Sequence, residues 1–391
     1  MRQIERKIFV NVTYVTWLYV FIESKIKPDG VTGGNFMAEN VKTLLVIGNG
    51  FDLAHKLQTK YTDFLDFFNE KIGTVELSEQ SFDIAGIKEF SKYINASIDK
   101  NDDQALWENL KRYMETPFGN FWIAYFNKIL EDRKNRIGEG WVDFEREIEQ
   151  VVGQLEKLLL NSSDFNKEKS VLKDIMGNYL EKSPEIITQE IIPKLNWDLK
   201  ILTLFLEFYL LEEEKNLDVN PKKFFETLNV KAVISYNYTT TFEILYKKGK
   251  RKIPIHFIHG ELGKHNLVLG IGETLSGDEK NNFTVCASFK KFFQRIKYKL
   301  GNDYRNILPS KPDVNNKWQI VFYGHSLDST DKNSLKWLLE KASEFPIKIY
   351  YYDDDNYNQQ IANAIQLIKK DQLIKDVNAG RIVFLPMNNS E

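Results

Sequence analysis

The last third of the chain alternates short apolar segments with longer amphipathic ones. Strands are predicted over Trp318–Tyr323, Ile347–Tyr352 and Arg381–Leu385, because these runs are rich in β-branched and aromatic residues. Helices are predicted between them, over 331–344 and 357–375. Strands that alternate with helices of this length form a parallel sheet covered on both faces. The pattern therefore places this part of the chain in the α/β class.

Three earlier strands belong to the same predicted sheet. They are Thr43–Ile47, 231–236 and 253–258, and each is followed by a turn that contains glycine or asparagine. Between the first two strands the chain has an almost wholly helical pattern, with prolines near the breaks. We therefore predict a Rossmann-like parallel sheet with helices on both faces and a large all-helical insertion. The predicted domains are 37–59 with 229–391 for the discontinuous α/β domain, and 60–228 for the helical insertion or cap.

Residues 1–36 contain the one stretch that resembles a targeting segment. The apolar-rich run Ile8–Ile22 is shorter than the roughly 20 residues that cross a bilayer, and no small-x-small cleavage site follows it. Gly33–Phe36 can be encoded as a ribosome-binding site directly before Met37. We therefore predict that translation starts at Met37, which makes 1–36 a non-native leader or a flexible extension. An ordinary N-terminal strand or helix is the alternative, and native peptides from before Met37 would contradict the leader.

Composition limits the class of protein and its compartment. Hydrophobic residues make up 42% and charged residues 28%, which excludes a disordered chain and a multi-span membrane protein. The 53 basic and 55 acidic residues give no global charge that favours nucleic acid or an anionic membrane. The single cysteine, Cys286, excludes an internal disulfide and a Cys-rich zinc or iron–sulfur site. We expect a cytoplasmic protein with no membrane partner and no clear nucleic-acid signature, and a local basic patch stays open.

The turn after the first strand has the form of a ligand-binding βα turn. Gly48 and Gly50 let the backbone approach a ligand, and the helix that follows offers free N–H groups to a phosphate. A full dinucleotide fingerprint would have a third glycine where Leu53 stands, and the chain has no Walker lysine. The sequence therefore gives less support to a Rossmann dehydrogenase or a P-loop enzyme. The structural alternative is a tight turn in which Asp52 caps the helix.

Three further predicted strands also end at polar or glycine turns. The carboxyl ends of parallel strands are where ligands of open α/β sheets bind, so these turns outline a crevice. The residues that follow the strands are Asn237 and Tyr238, His259 and Gly260, and Gly324, His325 and Ser326.

Four blocks around these turns carry a resemblance to known proteins. They are LLVIGNGFDLAHKLQTKYTDFLDFF (44–68), ISYNYTTTFEILY (234–246), IHFIHGELG (255–263) and IVFYGHSLDSTDKNSLKWL (320–338). In this order they resemble the AbiH family of bacteriophage abortive-infection proteins, from about residue 43 to the end of the chain. They are also similar, more distantly, to the sirtuin-like NAD-binding domains of bacterial defence proteins. The resemblance implies a sirtuin-like α/β domain that acts in antiphage defence.

The sirtuin-like resemblance also implies a ligand and a site. NAD is implied as substrate or ligand, and Asn237 and His259 as the catalytic residues. The residues implied around the nucleotide are Gly48, Asn49, Gly50, Phe51, Asp52, Tyr238, Gly260, Gly324, His325 and Ser326. The chain departs from the sirtuin-like pattern at Thr239, where that pattern has an aspartate. Its single cysteine cannot form the four-cysteine zinc ribbon of sirtuin deacetylases, which argues against protein deacetylation, and no metal is expected.

The expected chemistry is hydrolysis of the nicotinamide–ribose bond of NAD or a related nucleotide. Such a bond breaks through an oxocarbenium-like transition state, so positioning and water activation matter more than a strong acid. In this hypothesis Asn237 holds a water or the ribose hydroxyls, Asp52 orients the ribose, and His259 is the general base. The alternative is a non-catalytic binding module that senses a nucleotide and acts through a protein partner. A phage-derived trigger and a second copy of the chain are the partners left open.

Simpler interpretations stay open at these positions. His259 can serve only to bond a neighbouring strand, and Asn237 can be only a turn former. Helix capping accounts equally well for three further residues, His325, Asp328 and Asp331.

Other functional patterns have less support. Arg251 and His256 have the spacing of a helical ribonuclease family, but Pro254 and the β-rich residues around it predict a strand. The five histidines include no His-x3-His pair, which disfavours a metal hydrolase. The acidic run Asp353–Asp355 is interpreted as a solvated loop rather than a metal or ribose site.

Overall fold

A computed structural model describes residues 41–77, 79–137, 143–159, 176, 182–247, 253–272, 286–309 and 317–387. All of them belong to one structural unit, Val41–Glu391. The predicted leader at 1–36 lies outside the described residues, and so does Arg251.

Six parallel strands form a single sheet in the described part of the chain. The order is β3-β2-β1-β4-β5-β6, which is the order of doubly wound nucleotide-binding folds. The predicted α/β class with a Rossmann-like parallel sheet is therefore confirmed. The strands are β1 Lys42–Ile47, β2 Asn229–Ser235, β3 Ile255–Phe257, β4 Trp318–Tyr323, β5 Ile347–Tyr351 and β6 Ile382–Pro386.

The helices fall into two groups along the chain. Before β2 they are α1 Asn49–Ala54, α2 Tyr61–Lys71, α3 Ile84–Asp99, α4 Asp103–Met114, α5 Phe121–Ile137, α6 Phe144–Leu159, α7 Pro184–Ile186, α8 Ile192–Lys215 and α9 Lys223–Thr227. A π-helical turn, Ile187–Ile191, joins α7 to α8. After β2 they are α10 Thr241–Tyr246, α11 Lys291–Lys297, α12 Lys332–Glu340, α13 Asp354–Leu367 and α14 Lys370–Asn378. None of the described helices combines the length and apolar character that crossing a bilayer requires.

The central strand β1 sends its side chains alternately to two hydrophobic cores. Leu44 and Val46 join the core that α12, α13 and α14 cover. Leu45 and Ile47 join the opposite core, which contains side chains from α1, α9 and α10. This alternation follows from the two-residue repeat of a strand. Both faces of β1 are buried, which explains why its sequence is apolar throughout rather than alternating with polar residues.

The helical insertion has its own hydrophobic core, and a later segment completes it. This core draws on helices α2 to α6 and on the long helix α8. Leu267, Leu269 and Phe289, which follow β3 in the chain, pack into the same cluster. The core of the insertion therefore contains residues from before β2 and from after β3, and the second group links it to the sheet domain.

A buried ion pair anchors α8 at the centre of the insertion. Lys194 and Asp198 lie one turn apart with both side chains fully buried, and Lys194 Nζ is 2.6 Å from each carboxylate oxygen. Asp198 Oδ2 also accepts a hydrogen bond from the backbone N–H of Phe121 at 2.7 Å, and Lys194 donates to the Gly119 carbonyl at 3.1 Å. A buried pair is tolerated when further hydrogen bonds satisfy both charges. Here those bonds fix the start of α5 against α8.

One predicted helix is divided in the structure. The helix expected over 357–375 is two helices, α13 and α14, and α13 already begins at Asp354. The break is at Ile368, which has extended backbone angles (φ −124°, ψ 154°) and is buried in the core beneath the sheet. Asp353 caps α13, since its side chain accepts from the Asn356 N–H at 2.8 Å. The acidic run therefore begins a helix instead of forming a loop.

Candidate functional site

Two glycine turns meet between β1 and β4, where the order of the strands along the chain reverses. Gly50 N–H donates to the Gly324 carbonyl at 2.8 Å, which joins the turn after β1 to the turn after β4. A Cβ atom on Gly50 would lie 2.6 Å from Gly324 Cα, and one on Gly324 would lie 2.2 Å from the Phe51 nitrogen. Gly324 also has a left-handed backbone, with φ +68°. Close backbone approach between the turns therefore requires glycine at both positions.

The two large side chains of the first turn have different surroundings. Asn49 is exposed, and its Oδ1 accepts a hydrogen bond from the Thr59 hydroxyl at 2.5 Å. Phe51 is fully buried and packs its ring against those of Phe225 and Phe242. The Phe51 ring is thus part of the hydrophobic core on that face of the sheet, and only its backbone faces the turn.

Asp52 lies in a buried polar cluster between the ends of β1 and β2. Only 1% of Asp52 is exposed, and its Oδ2 accepts a hydrogen bond from the Thr239 hydroxyl at 2.6 Å. Three polar atoms here make no hydrogen bond of ordinary length among the described residues, Asp52 Oδ1, Asn237 Nδ2 and Thr241 Oγ1, although the amide and the hydroxyl lie close enough to the carboxylate to stabilise its charge. Buried polar atoms are normally satisfied, so unpartnered ones call for an explanation. A carboxylate acceptor and an amide donor beside it match a hydroxyl group, which can donate to one and accept from the other.

Burial raises the pKa of Asp52 to about 7. The hydroxyls of Thr239 and Thr241 and the Asn237 amide oppose this rise, whereas the negative charge of Glu214 adds to it. A carboxyl group with a pKa near the working pH can both release and take up a proton. Asp52 therefore has acid–base capacity at neutral pH in addition to hydrogen bonding.

The turn that carries Asn237 is fixed from two sides. The Ser235 hydroxyl accepts from the Asn237 N–H and donates to the Asn237 carbonyl, both at 3.1 Å. On the other side, Glu214 at the end of α8 accepts from the backbone N–H of Thr240 and from its hydroxyl. The backbone of Asn237 forms this turn, while its side-chain amide lies beside the Asp52 carboxylate. The helical insertion thus supports this turn directly.

His259 follows β3 and pairs with an aspartate from the turn beyond β4. Its Nε2 lies 3.0 Å from Asp331 Oδ1, and both side chains are largely buried. Its Nδ1 has no hydrogen-bond partner among the described residues. Burial lowers the pKa of His259 below its ordinary value, against the opposing pull of the Asp331 carboxylate. A neutral imidazole that donates Nε2–H to Asp331 has its free lone pair on Nδ1, which is the arrangement of an oriented general base.

Asp331 is also held by a buried lysine that reaches into the helical insertion. Lys291 Nζ is 3.1 Å from Asp331 Oδ1 and 2.8 Å from Glu145 Oε2, with only 3% of its side chain exposed. Burial raises the pKa of Glu145 to about 7, although the positive charge of Lys291 opposes this rise. Burial also disfavours a charged Asp331, but His259 and Lys291 together hold its pKa well below the ordinary value. The chain of contacts from Glu145 through Lys291 and Asp331 to His259 is called the Lys291 relay below.

Two tyrosines from the turn after β2 surround His259. The ring centroids of Tyr236 and Tyr238 lie 5.7 Å and 6.3 Å from that of His259. Tyr236 donates its hydroxyl to Ser334 Oγ at 2.8 Å, and Tyr238 donates to the Val268 carbonyl at 2.9 Å. Both hydroxyls are therefore occupied inside the protein. Burial raises the pKa of each tyrosine above its ordinary value, so both stay neutral at physiological pH.

The turn after β4 uses its polar residues mainly for its own structure. His325 Nδ1 accepts from the Leu327 N–H at 2.9 Å, and burial lowers the pKa of His325 to about 4. Ser326 is exposed, and its carbonyl accepts from the Asn363 amide at 2.9 Å. Asp328 accepts from the Thr330 N–H, as a capping residue does. The capping interpretation thus holds for Asp328, whereas the side chain of Asp331 turns to His259 instead.

The two predicted catalytic residues lie at neighbouring strand ends but contact different groups. The Asn237 amide faces the Asp52 cluster, and His259 faces Asp331. They are linked through the turn after β2, because Tyr236 and Tyr238 flank Asn237 in the chain and His259 in space. Their assignment as catalytic, and that of the glycine turns as nucleotide-binding, stays a prediction.

A small pocket opens beside His259 and Asp331. Its cavity volume is about 10 Å³, which is close to the space that one water molecule needs. Such a pocket can hold a water molecule, and it does not enclose a nucleotide. The lining residues are His259, Lys291, Arg295, Thr330, Asp331, Asn333 and Ser334. Across the described ranges, no cluster of three or more His, Cys, Asp or Glu side chains has an arrangement that could hold a metal ion.

Sequence patterns did not identify Lys291, Glu145 or Glu214 as parts of the site. Lys291 lies in a basic segment with Lys290 and Lys297, and nothing in their spacing distinguishes the lysine that pairs with Asp331 from the others. Glu145 lies on the first turn of α6, where an acidic residue is ordinary. These residues become notable only because the fold brings three distant segments together.

Comparison with known proteins identifies a family. A family model described as "Bacteriophage abortive infection AbiH" matches residues 44–353. The match begins within β1, includes the whole helical insertion and ends just after β5, so it contains every residue of the Asp52 cluster and of the Lys291 relay. No solved structure matches the chain.

Proposed function

The chain belongs to the bacteriophage abortive infection AbiH family, and from this we propose that it acts in phage defence by binding and hydrolysing NAD or a related nucleotide. The observation that carries the proposal is the geometry of His259. Its Nε2 is bonded to Asp331, its Nδ1 is unpartnered, and it lies at the edge of a pocket at the carboxyl ends of parallel strands. A base oriented in this way suits the activation of a water molecule.

In the proposed reaction, water attacks the anomeric carbon of the ribose. His259 Nδ1 takes a proton from the water as the new C–O bond forms and the bond between the ribose and the nicotinamide nitrogen breaks. The nicotinamide ring leaves as a neutral molecule, so the leaving group needs no strong acid. Asp331 stabilises the imidazolium that results, and Lys291 keeps the Asp331 carboxylate ionised and in place.

The Asp52 cluster supplies the second half of the proposed site. A ribose hydroxyl can donate to Asp52 Oδ1 and accept from Asn237 Nδ2, two atoms that make no hydrogen bond of ordinary length among the described residues. Thr239 stands where the sirtuin-like pattern has an aspartate, and its hydroxyl contacts the Asp52 carboxylate. In this proposal the carboxylate is provided by the neighbouring turn instead. Gly48, Gly50, Gly260 and Gly324 would bring backbone close to the nucleotide.

The test is the NAD content of cells that express the full chain. Wild-type protein should lower NAD when its expression is toxic, and Asn237→Ala and His259→Ala should leave NAD unchanged. His256→Gln is the matched control, since His256 lies three residues before His259 and has no proposed role, and it should behave as wild type. Toxic wild-type expression without loss of NAD, or NAD loss that persists in His259→Ala, would reject the hydrolase.

A non-catalytic nucleotide sensor is the second candidate, and one observation favours it. The site contacts the helical insertion twice, through Glu145 to Lys291 and through Glu214 to Thr240. In this candidate function, ligand binding at the strand ends changes these two contacts and so alters the insertion, which then acts on a partner protein. In that case Asn237→Ala should abolish phage protection, while purified wild-type protein binds the nucleotide without consuming it.

A further inference from the structure

Arg295 is a partly buried cation that forms no salt bridge with any described residue. Its Nη2 donates only to the Gly301 carbonyl at 3.2 Å and to Asn302 Oδ1 at 2.9 Å, both neutral groups. Its Nε is buried and has no hydrogen-bond partner among the described residues. A guanidinium has five N–H donors in a planar fork and stays charged at all physiological pH values. An unpaired donor of this kind favours an anionic ligand.

Arg295 lines the same pocket as His259. It lies one helical turn after Lys291, so the two side chains share a face of α11. Lys291 is already neutralised by Glu145 and Asp331, and the Asp331 carboxylate is paired with both Lys291 and His259. Burial lowers the pKa values of His256 and His259, and the charge of Arg295 contributes to both decreases. Arg295 is therefore the cation lining this pocket that makes no direct ionic contact with a described residue.

The other polar groups of the pocket suit oxygen acceptors. The Thr330 hydroxyl is able to donate, and the exposed Asn333 lies at the rim with a side-chain amide. A guanidinium recognises a phosphate through charge-assisted N–H···O bonds, and the Nε–H of Arg295 is still unpartnered among the described residues. The pocket itself is small, so a phosphate bound by Arg295 would lie at its mouth, with the rest of the nucleotide outside it.

We propose that Arg295 binds a phosphate group of the nucleotide in the pocket beside His259. This inference rests on the proposed function, which it deepens by making a phosphate next to the reacting sugar a requirement for recognition. Nucleotides that contain this phosphate are then substrates or ligands, and the corresponding nucleosides are not. Arg295 is in this way the residue that determines specificity.

The test measures binding of ADP-ribose to the purified full-length chain by isothermal titration calorimetry. Arg295→Met should weaken binding about tenfold or more, since hydrogen bonds to charged groups contribute at this level. Arg295→Lys, which keeps the charge but loses the planar fork, should lie between Arg295→Met and wild type. Lys297→Met is the matched control, because Lys297 is an exposed cation on the same helix, and it should bind as wild type.

A second measurement uses wild-type protein only, so it does not depend on how the variants fold. Saturating inorganic pyrophosphate should weaken ADP-ribose binding by competition, whereas adenosine at the same concentration should have less effect. Equal ADP-ribose affinity for Arg295→Met and Lys297→Met would overturn the proposal, and so would failure of wild type to bind ADP-ribose. Arg295-dependent binding without NAD hydrolysis would leave this site standing and reject only the catalytic proposal.

Discussion

His259 Nε2 and Asp331 Oδ1 lie 3.0 Å apart, and this contact decides which nitrogen of the imidazole is available for chemistry. With Nε2 occupied, Nδ1 is the free atom, and no described residue satisfies it. Asp331 comes from the far side of the central strand, after β4, while His259 follows the edge strand β3. The pair therefore exists only when the sheet is complete.

Asp331→Asn should lower the pKa of His259 further, because it removes the negative charge that favours the imidazolium. The measurement is the pH titration of the His259 ring by NMR in wild type and variant. NAD hydrolysis should fall by about 100-fold or more, since an amide no longer stabilises the charged imidazole. An unchanged His259 titration would show that Asp331 does not control this base.

Lys291→Met should destabilise the fold by about 3–5 kcal/mol, because it leaves two buried carboxylates, Glu145 and Asp331, without their shared cation. Urea unfolding provides the measurement. Lys297→Met, an exposed position on the same helix, should change stability by less than about 0.5 kcal/mol. Equal stability of the two variants would contradict the Lys291 relay as a structural element.

Gly324→Ala should destabilise the protein by about 2–5 kcal/mol, since the new Cβ meets the Phe51 nitrogen at 2.2 Å and φ is +68°. Gly153→Ala is the control. Gly153 lies within α6 and a Cβ there meets nothing within 4 Å, so alanine should stabilise the helix by about 0.5–1 kcal/mol. Thermal or urea unfolding of both variants is the check, and a neutral Gly324→Ala would mean that the two turns do not touch.

Asp52 should make the protein less stable as the pH rises from about 4 to 7. Burial raises its pKa from 3.8 to about 7 in the folded protein, so in this range the folded state holds a proton that the unfolded state has lost. The contribution of Asp52 to the free energy of unfolding is greatest below pH 4, falls between pH 4 and 7 and is constant above pH 7. Its total change is about 4 kcal/mol.

Asp52→Asn isolates this effect from that of Glu145, whose pKa is also raised to about 7 by burial. The difference in unfolding free energy between wild type and Asp52→Asn should follow the same pH profile. The variant should become more stable relative to wild type as the pH rises. A difference that is constant between pH 4 and 8, or that has the opposite sign, would contradict a buried and protonated Asp52.

Much of the fold could be predicted from the sequence because its signals are local. The apolar run of β1 and the glycine turn after it are contiguous, and both reflect burial on two faces of a parallel sheet. The break at Ile368 could not be predicted in the same way. Its neighbours continue a helical pattern, and the helix ends there because the side chain packs into the core beneath the sheet.

Some residues of the candidate site have a local sequence signal, and others do not. Asn237 and His259 could be selected because each directly follows a predicted strand, and the ends of parallel strands meet at one edge. Phe51 belongs to the turn that is predicted to bind the nucleotide, but its ring lies in the core, because the side chain of a turn residue can point either way. Lys291 and Glu145 are brought together across 146 residues, and no short pattern encodes such a contact.

The position of β1 in the middle of the sheet has a consequence for synthesis on the ribosome. Thr43 in β1 bonds to Gln319 in β4 across 276 residues, and the β2 partner arises after the whole helical insertion. The strand that needs two neighbours is thus among the first to emerge, and contacts of this sequence separation form slowly. Until Trp318–Tyr323 has been translated, β1 keeps an open apolar edge, which makes nascent and prematurely terminated chains candidates for chaperone capture.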